Sequence, residues 1–206
     1  MSIKENYEYI SGMLPERVTL VAVSKYHTQE EIMQLYRLGQ RDFGENKVQD
    51  MVAKSEELPA DIRWHLIGHL QTNKVKYVIG KTCLIHSLDR HELAREIDKR
   101  SYSAGVVTDC LVQVNSTGIE SRFGVSPDEA GEFIHSLSEY KNIRVRGIMG
   151  MAPITDNPTP HFELLKSIYD KYAPQNGILS MGMSGDFEEA VKCGSTMVRI
   201  GNRLFA

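Results

Sequence analysis

The alternation of apolar and polar segments along the chain predicts eight short strands, each followed by a helix. At residues 20–25 (LVAVSK), small and mostly β-branched side chains indicate a strand buried on both faces. The predicted strands span residues 18–24, 41–46, 62–68, 82–87, 108–115, 143–149, 178–181 and 196–200. Strands that alternate with helices lie parallel, and eight such units close into a barrel. We therefore predict an α/β fold, a single (β/α)₈ TIM barrel that forms one domain over residues 1–206.

Capping patterns and glycines set the expected limits of the helices. Thr28 and Glu31 form a capping-box pattern, which predicts a helix over 29–38 that ends at Gly39. The same reasoning predicts that Asp89 caps a helix with Glu92 as its partner. The other predicted helices span residues 1–15, 47–58, 71–79, 162–172 and 186–192, and one begins at the 126–129 segment (SPDE).

Composition and charge exclude several classes of function. The 206 residues are 41% hydrophobic and 25% charged, with a net charge of −3, as in an ordinary globular domain. The basic clusters at 74–81 and 141–146 are interpreted as solvated faces, so no nucleic-acid partner is expected. No apolar run is long enough to span a bilayer, and no charged-then-apolar leader begins the sequence, so no membrane partner is expected. The cysteines are scattered and odd in number, which fits a reducing cytoplasm: Cys83, Cys110 and Cys193.

Lys25 lies where the first strand should stop and its loop begin. In parallel α/β folds that edge is where ligands bind. Two interpretations stay open for this side chain. Its stem could cover the barrel rim while the ammonium reaches solvent. Alternatively, a partly desolvated amine could condense with an aldehyde or ketone.

Polar and glycine residues follow the last two predicted strands. Barrels commonly bind phosphate between the loops after strands seven and eight. The hydroxyl of Ser184 and N–H groups around Gly185, Gly201 and Asn202 could surround a dianion there, because glycine lets the backbone come close. The alternative is that Ser184 caps its own helix and the glycines only turn the chain. Asp186 is expected to point away from a bound phosphate.

Other motifs do not support a nucleotide or metal site. Gly80-Lys81-Thr82 resembles the end of a P-loop, but the motif needs a glycine where this chain has Val75. No GxGxxG follows the first strand, which argues against a dinucleotide fold. His65 and His69 are four residues apart on a predicted strand and turn, too far apart to chelate one ion. We interpret them as structural histidines.

The two ends of the chain together indicate one cofactor. A lysine that forms a Schiff base, facing a phosphate site, suits a molecule that carries both an aldehyde and a phosphate. Pyridoxal 5′-phosphate (PLP) is such a molecule. Arg199, at the end of strand eight, would then lie near the pyridine nitrogen. Arginine only donates hydrogen bonds, so it would keep that nitrogen unprotonated and weaken the ring as an electron sink.

The sequence resembles the pyridoxal phosphate homeostasis proteins, single barrels similar to the N-terminal domain of alanine racemase (fold type III of the PLP proteins). The motifs that carry the resemblance lie between residues 18 and 205: AVSK, FGEN, WHLIGHLQTNK, SRFGV, RGIMGMAP, GMS and GSTMVRIG. The resemblance implies that Lys25 is the covalent PLP lysine and that Arg199 faces the ring nitrogen. It also implies cofactor-binding roles for Asn46, Met183, Ser184, Gly201 and Asn202. The family usually has threonine or serine at the position of Asn202.

Three functions remain open at this stage. The resemblance implies a non-catalytic PLP-binding protein of cofactor homeostasis or delivery, a cytoplasmic monomer in transient contact with PLP-dependent apo-enzymes. A PLP-dependent racemase or decarboxylase on the same barrel is the alternative, but it would need a second domain that supplies an opposing acid–base residue. A Schiff-base aldolase without cofactor would need a carboxylate or tyrosine beside Lys25.

Overall fold

Eight parallel strands close into a barrel in chain order, and helices cover its outer surface. The computed structural model describes residues 2–154 and 157–206. The strands are β1 (Thr19–Val23), β2 (Asp42–Glu45), β3 (Arg63–Leu66), β4 (Leu84–Leu88), β5 (Thr108–Val114), β6 (Ile143–Gly150), β7 (Ile178–Ser180) and β8 (Met197–Ile200). The first strand pairs in parallel with the last, which closes the barrel. The predicted (β/α)₈ TIM barrel is thus confirmed.

The helices alternate with the strands along the chain. They are α1 (Ile3–Met13), α2 (Gln29–Arg37), α3 (Val48–Glu57), α4 (His91–Ala104), α5 (Ala130–Ser136), α6 (Thr159–Tyr172), α7 (Phe187–Lys192) and α8 (Asn202–Phe205). Short 3₁₀ segments occupy Thr72–Tyr77 and Leu137–Glu139. No helix in the described part of the chain has the length and apolarity needed to cross a membrane.

Alternate residues of each strand face the inside of the barrel or the surrounding helices. Leu20 and Ala22 of β1 belong to the large core between strands and helices, whereas Val21 packs inside the barrel. The apolar interior cluster is small and consists of Val21, Leu84, Leu111, Met149 and Met197. By the same alternation, Val23 and Lys25 point toward the barrel axis and its C-terminal rim, where both line a cleft.

The capping box predicted after the first strand is present. Thr28 Oγ1 accepts the backbone N–H of Glu31 at 3.3 Å, and Glu31 Oε2 accepts the backbone N–H of Thr28 at 2.7 Å. These two bonds satisfy N–H groups that have no partner inside the helix. They fix the start of α2, and therefore the length of the loop that follows Lys25.

The helix predicted over 71–79 is a 3₁₀ helix at Thr72–Tyr77. Val75 and Val78 are both fully buried. Residues three apart share a face of a 3₁₀ helix and of an α-helix alike, so their spacing in the sequence does not distinguish the two forms.

The prediction that Asp89 caps a helix was wrong. Helix α4 begins at His91, after Arg90, and no side chain caps it. The Asp89 carboxylate accepts a hydrogen bond from Arg90 Nη1 at 2.7 Å, while Arg90 Nη2 donates to the carbonyl of Leu70. The aspartate therefore serves an ion pair that ties the barrel rim to the preceding loop.

Helices α5, α6 and α8 also differ from the prediction. The Glu129 N–H donates to Ser126 Oγ at 3.3 Å and the Ser126 hydroxyl donates to Glu129 Oε2 at 2.5 Å, but the regular helix starts at Ala130. Helix α6 begins three residues earlier than predicted because Pro160 is tolerated in a first helical turn. The four-residue α8 was not predicted, since so short a segment shows no periodicity.

Candidate functional site

The seven candidate residues of the sequence analysis surround one cleft at the C-terminal rim of the barrel. The cleft has a volume of about 670 Å³, within the range of small-molecule sites. The seven are Lys25, Asn46, Met183, Ser184, Arg199, Gly201 and Asn202. Residues from opposite ends of the chain therefore meet because β1 and β8 are neighbours in the closed barrel.

Lys25 is half-buried directly after β1. The next residue, Tyr26, has φ = 71°, in the left-handed region that non-glycine residues rarely adopt. This sharp turn leads the chain away from the rim immediately after the lysine. The Tyr26 side chain is 83% exposed, and its ring centre lies 5.9 Å from Lys25 Nζ.

A buried ion pair supports the end of β1 from outside the barrel. Lys54 Nζ donates to the carbonyl of Ser24 at 2.9 Å and to Glu45 Oε1 at 2.7 Å. The Ser24 hydroxyl donates to the same carboxylate oxygen at 2.6 Å. Glu45 is fully buried, and its second oxygen has no partner among the described residues. These contacts fix the backbone that carries Lys25.

The loop after β7 and the start of α8 provide a set of hydrogen-bond donors. Among the described residues, no backbone acceptor binds the N–H groups of Ser184, Gly185 and Asn202. The N–H of Gly201 was expected to be free, but it donates to Ser184 Oγ at 3.3 Å. Ser184 therefore does not cap α7, and its hydroxyl proton is available to an anion.

The Asp186 side chain bonds to the backbone of the loop that precedes it rather than to these donors. Its Oδ1 accepts the backbone N–H of Met183 at 2.6 Å. Helix α7 follows Asp186 without a side-chain cap. The Asp186 carboxylate is thus bonded to the Met183 N–H and to none of these donors, as expected.

Arg199 lies below the centre of the cleft and is 4% exposed. Its Nη1 donates to Ser180 Oγ at 2.6 Å and its Nη2 to the carbonyl of Gly150 at 3.0 Å. Burial lowers the pKa of Arg199 to about 10, although the charge of Asp186 opposes this shift. The guanidinium is therefore still protonated at neutral pH and can only donate.

Several residues of the cleft wall had no role predicted from the sequence. His69 stacks on Phe123, with ring centres 3.7 Å apart and 16° between the planes. Burial lowers the pKa of His69; the charge of Asp89 opposes this shift and the charge of Arg90 adds to it. The Nδ1 of His69 is buried without a hydrogen-bond partner in the described part of the chain. His69 lies in the motif WHLIGHLQTNK and Phe123 in the motif SRFGV, and the resemblance of these motifs to the family was the signal that could have placed both residues at the site.

His65 and His69 do not form a metal pair. His65 points into the barrel and bonds to Asp42 and His86, whereas His69 lies in the cleft wall. No group of three His, Cys, Asp or Glu side chains suited to a metal ion occurs within residues 2–154 and 157–206.

Comparisons with known proteins agree on one family. The family model described as alanine racemase, N-terminal domain, matches residues 1–206. A protein of Aquifex aeolicus (strain VF5) named pyridoxal phosphate homeostasis protein is 43% identical over 194 residues, which cover 90% of this chain and 85% of that protein. The protein of the same name from Escherichia coli (strain K12) is 33% identical over 204 residues, covering 94% and 87%.

Solved structures show the same fold. PipY of Synechococcus elongatus PCC7942, determined with PLP bound, superimposes with a TM-score of 0.90 at 33% identity, and 100% of both chains is covered. The alanine racemase of Clostridium difficile 630 gives a TM-score of 0.82 at 16% identity, over 98% of this chain and 56% of that one. At that identity, the similarity to the racemase shows a shared barrel alone.

Proposed function

Because the chain belongs to the family of pyridoxal phosphate homeostasis proteins, we propose that it binds PLP and serves the homeostasis or delivery of this cofactor without turning over amino acids. The observation that carries the proposal is the meeting of a half-buried lysine, a set of free N–H donors and a buried arginine around one cleft. PipY, with PLP bound, shares the whole fold and a third of its residues with this chain.

The residues around the cleft suit the chemical groups of PLP. The Lys25 amine would bond covalently to the aldehyde, and the Ser184 hydroxyl with the N–H groups of Gly185 and Asn202 would hold the phosphate. Gly201 would position Ser184 through the bond between its N–H and Ser184 Oγ. Met183 and Asn46 would form walls of the site. When bound through its aldehyde, PLP supplies an electron sink for reactions at the Cα of amino acids.

The protein's own groups oppose such reactions. Arg199 faces the cleft as a protonated donor, which disfavours protonation of a pyridine nitrogen beside it and so weakens the sink. No carboxylate or tyrosine lines the cleft in the described part of the chain. The buried carboxylate of Glu45 lies behind Ser24 and is bound by Lys54. Besides Lys25, the side chain of the described cleft lining that could act as a general base is therefore the imidazole of His69, and the lack of a carboxylate or tyrosine argues against a Schiff-base aldolase.

The remaining parts of the proposal concern the domain, the oligomeric state, the location in the cell and the partners of the protein. We propose that residues 1–206 form one domain and that the protein acts as a monomer in the cytoplasm. Transient contact with PLP-dependent apo-enzymes would let it supply them. The cleft opens at the rim, beside the exposed side chains of Tyr26, Phe123 and Ile154, so a partner could approach from that side.

Covalent labelling tests the binding site. The protein is incubated with PLP, reduced with borohydride and digested, and the pyridoxyl adduct is located by mass spectrometry. We expect the adduct on Lys25 and its loss in Lys25→Ala, with Lys47→Ala as the control that retains it. An adduct only on Lys47 or Lys74 would show that the lysine assignment is wrong.

A turnover assay tests the absence of catalysis. The PLP-loaded protein is incubated with alanine and a panel of other amino acids in deuterated water. We expect no racemisation, no loss of carboxylate and no deuterium at Cα beyond the rate of free PLP. Multiple turnovers that Lys25→Ala abolishes would establish a racemase or decarboxylase on this barrel instead.

A further inference from the structure

Five polar side chains form a continuous hydrogen-bonded chain across the barrel interior. Arg199 Nη1 lies 2.6 Å from Ser180 Oγ, and Ser180 Oγ lies 3.2 Å from His86 Nδ1. His86 Nε2 lies 3.0 Å from His65 Nδ1, and His65 Nε2 lies 3.0 Å from Asp42 Oδ1. None of the five is more than 8% exposed. The chain runs from the floor of the cleft to the start of β2.

The carboxylate end sets the direction of the bonds when both rings are neutral. A carboxylate only accepts, so His65 donates from Nε2 to Asp42, and its Nδ1 is left as an acceptor. His86 then donates from Nε2 to His65 Nδ1, and its own Nδ1 accepts the proton of Ser180, whose oxygen accepts from Arg199. In this arrangement each histidine carries one proton, on Nε2. Burial, with further contributions from His65 and Arg199, lowers the pKa of His86 well below its ordinary value, in agreement with a neutral ring.

The chain also links the Arg199 charge to an opposite charge. No carboxylate lies within ion-pair distance of Arg199 among the described residues, although a buried charge ordinarily needs a partner. Asp42 is bound at its other side by Arg63. The oriented dipoles of Ser180, His86 and His65 connect Arg199 to this carboxylate. The guanidinium is thereby held in one orientation, with its remaining N–H groups free toward the cleft.

We propose that Ser180, His86 and His65 are positioning residues that hold Arg199 in place beneath the bound cofactor, with the Asp42 carboxylate as the acceptor at the far end of the chain. The statement that Arg199 lies beneath a cofactor rests on the proposed function. The direction of the hydrogen bonds depends only on the five side chains and can be tested without PLP.

The first test uses the full-length protein without PLP. Long-range ¹H–¹⁵N NMR at pH 7.5 identifies the tautomer of each histidine, and the variants His65→Gln and His86→Gln assign the signals. We expect both rings to be neutral and protonated on Nε2. A proton on Nδ1 of either ring, or an imidazolium, would overturn the proposed direction of the chain.

The second test measures whether a remote member of the chain acts on the cofactor. His65 does not touch Arg199, so His65→Leu alters the cleft only through His86 and Ser180. We expect His65→Leu to shift the visible absorption band of the PLP-loaded protein and to weaken PLP retention about tenfold. His65→Gln, which has both an acceptor and a donor, should restore both properties.

A matched control separates positioning from stability. Ser195 is a fully buried serine that bonds to the carbonyls of Leu179, Met181 and Met197, outside the chain. We expect Ser195→Ala to lower stability while the absorption band stays unchanged. A wild-type band and wild-type retention in His65→Leu would overturn the positioning role. If the wild-type protein itself takes up no PLP, the proposed function fails, and the NMR test still decides the direction of the bonds.

Discussion

His27 stacks on Phe205, with ring centres 3.8 Å apart and 13° between the ring planes. His27 lies two residues after Lys25, and Phe205 ends α8, which begins at Asn202. The stack therefore joins the loop that carries the amine to the segment that carries the N–H donors. Asn6 of α1 reinforces this segment, because its Nδ2 donates to the carbonyl of Ala206 at 2.7 Å.

Removal of this stack should loosen the C-terminal segment. We expect His27→Ala to lower the free energy of unfolding by about 0.5–1.5 kcal/mol, the usual range for a pair of stacked rings. His27→Phe keeps a ring against Phe205 but, like His27→Ala, loses the bond between His27 Nδ1 and Glu31. Urea denaturation of the two variants therefore isolates the stack. Equal destabilisation by both substitutions would assign the effect to the bond with Glu31.

The barrel fold could be predicted from the sequence because its strands are short apolar runs with clear turns between them. Lys25 and Arg199 could be placed at the same rim because the C-terminal ends of parallel strands share one edge. The 3₁₀ form of the helix at Thr72–Tyr77 could not be predicted, since Val75 and Val78, three residues apart, would share one face of either kind of helix.

The interior chain of polar groups was missed although its signal was present. His65, His86 and Ser180 each lie in or beside an apolar run that predicts a buried strand. From the sequence we interpreted His65 as a structural histidine, after rejecting a metal pair with His69, but we did not compare it with His86. Buried polar groups need hydrogen-bond partners, so polar residues at inward positions of the barrel strands are expected to bond to one another. This rule would have predicted contacts among His65, His86 and Ser180.

The buried pair of Lys54 and Glu45 should be strongly coupled. The Lys54 and Glu45 side chains are 14% and 0% exposed, so Lys54→Met leaves a buried carboxylate without its cation. We expect this variant to lose about 3–5 kcal/mol of stability. The double variant Lys54→Met/Glu45→Gln should regain part of that loss, because a neutral amide still accepts from the Ser24 hydroxyl. A double-mutant cycle in which the two losses simply add would contradict a direct interaction.

Asp42 should contribute stability that depends on pH. Burial opposes its charge, but hydrogen bonds from Arg63 and His65 outweigh that effect and lower the pKa of the Asp42 carboxyl to about 2, from an ordinary 3.8. A carboxyl whose pKa is lower in the folded state stabilises the fold above the unfolded pKa. That contribution of about 2 kcal/mol is lost as the pH falls from about 4 to about 2.

Comparison of variants across this pH range isolates the contribution of Asp42. Asp42→Asn should be less stable than wild type by about 2 kcal/mol at pH 7, and the difference should shrink below pH 4. Asp128→Asn, at an exposed position, is the control and should follow the wild-type curve. Stability is measured by urea denaturation at each pH. A constant difference between wild type and Asp42→Asn from pH 7 to pH 3 would contradict the lowered pKa.

Ser184→Ala should weaken PLP retention while covalent attachment to Lys25 persists. The substitution removes a hydroxyl donor toward the phosphate, and a hydrogen bond to a charged group is worth about 1.5–3 kcal/mol, or about one to two decades in affinity. It also removes the acceptor of the Gly201 N–H, which then has only the anion or water as a partner. The measurement is the rate of PLP loss during dialysis, with borohydride labelling of Lys25 as the check on attachment. Ser184→Thr keeps a hydroxyl at this position and serves as the matched variant, with retention close to wild type. Unchanged retention in Ser184→Ala would mean that backbone N–H groups alone hold the phosphate and that Ser184 serves only to fix the loop against Gly201.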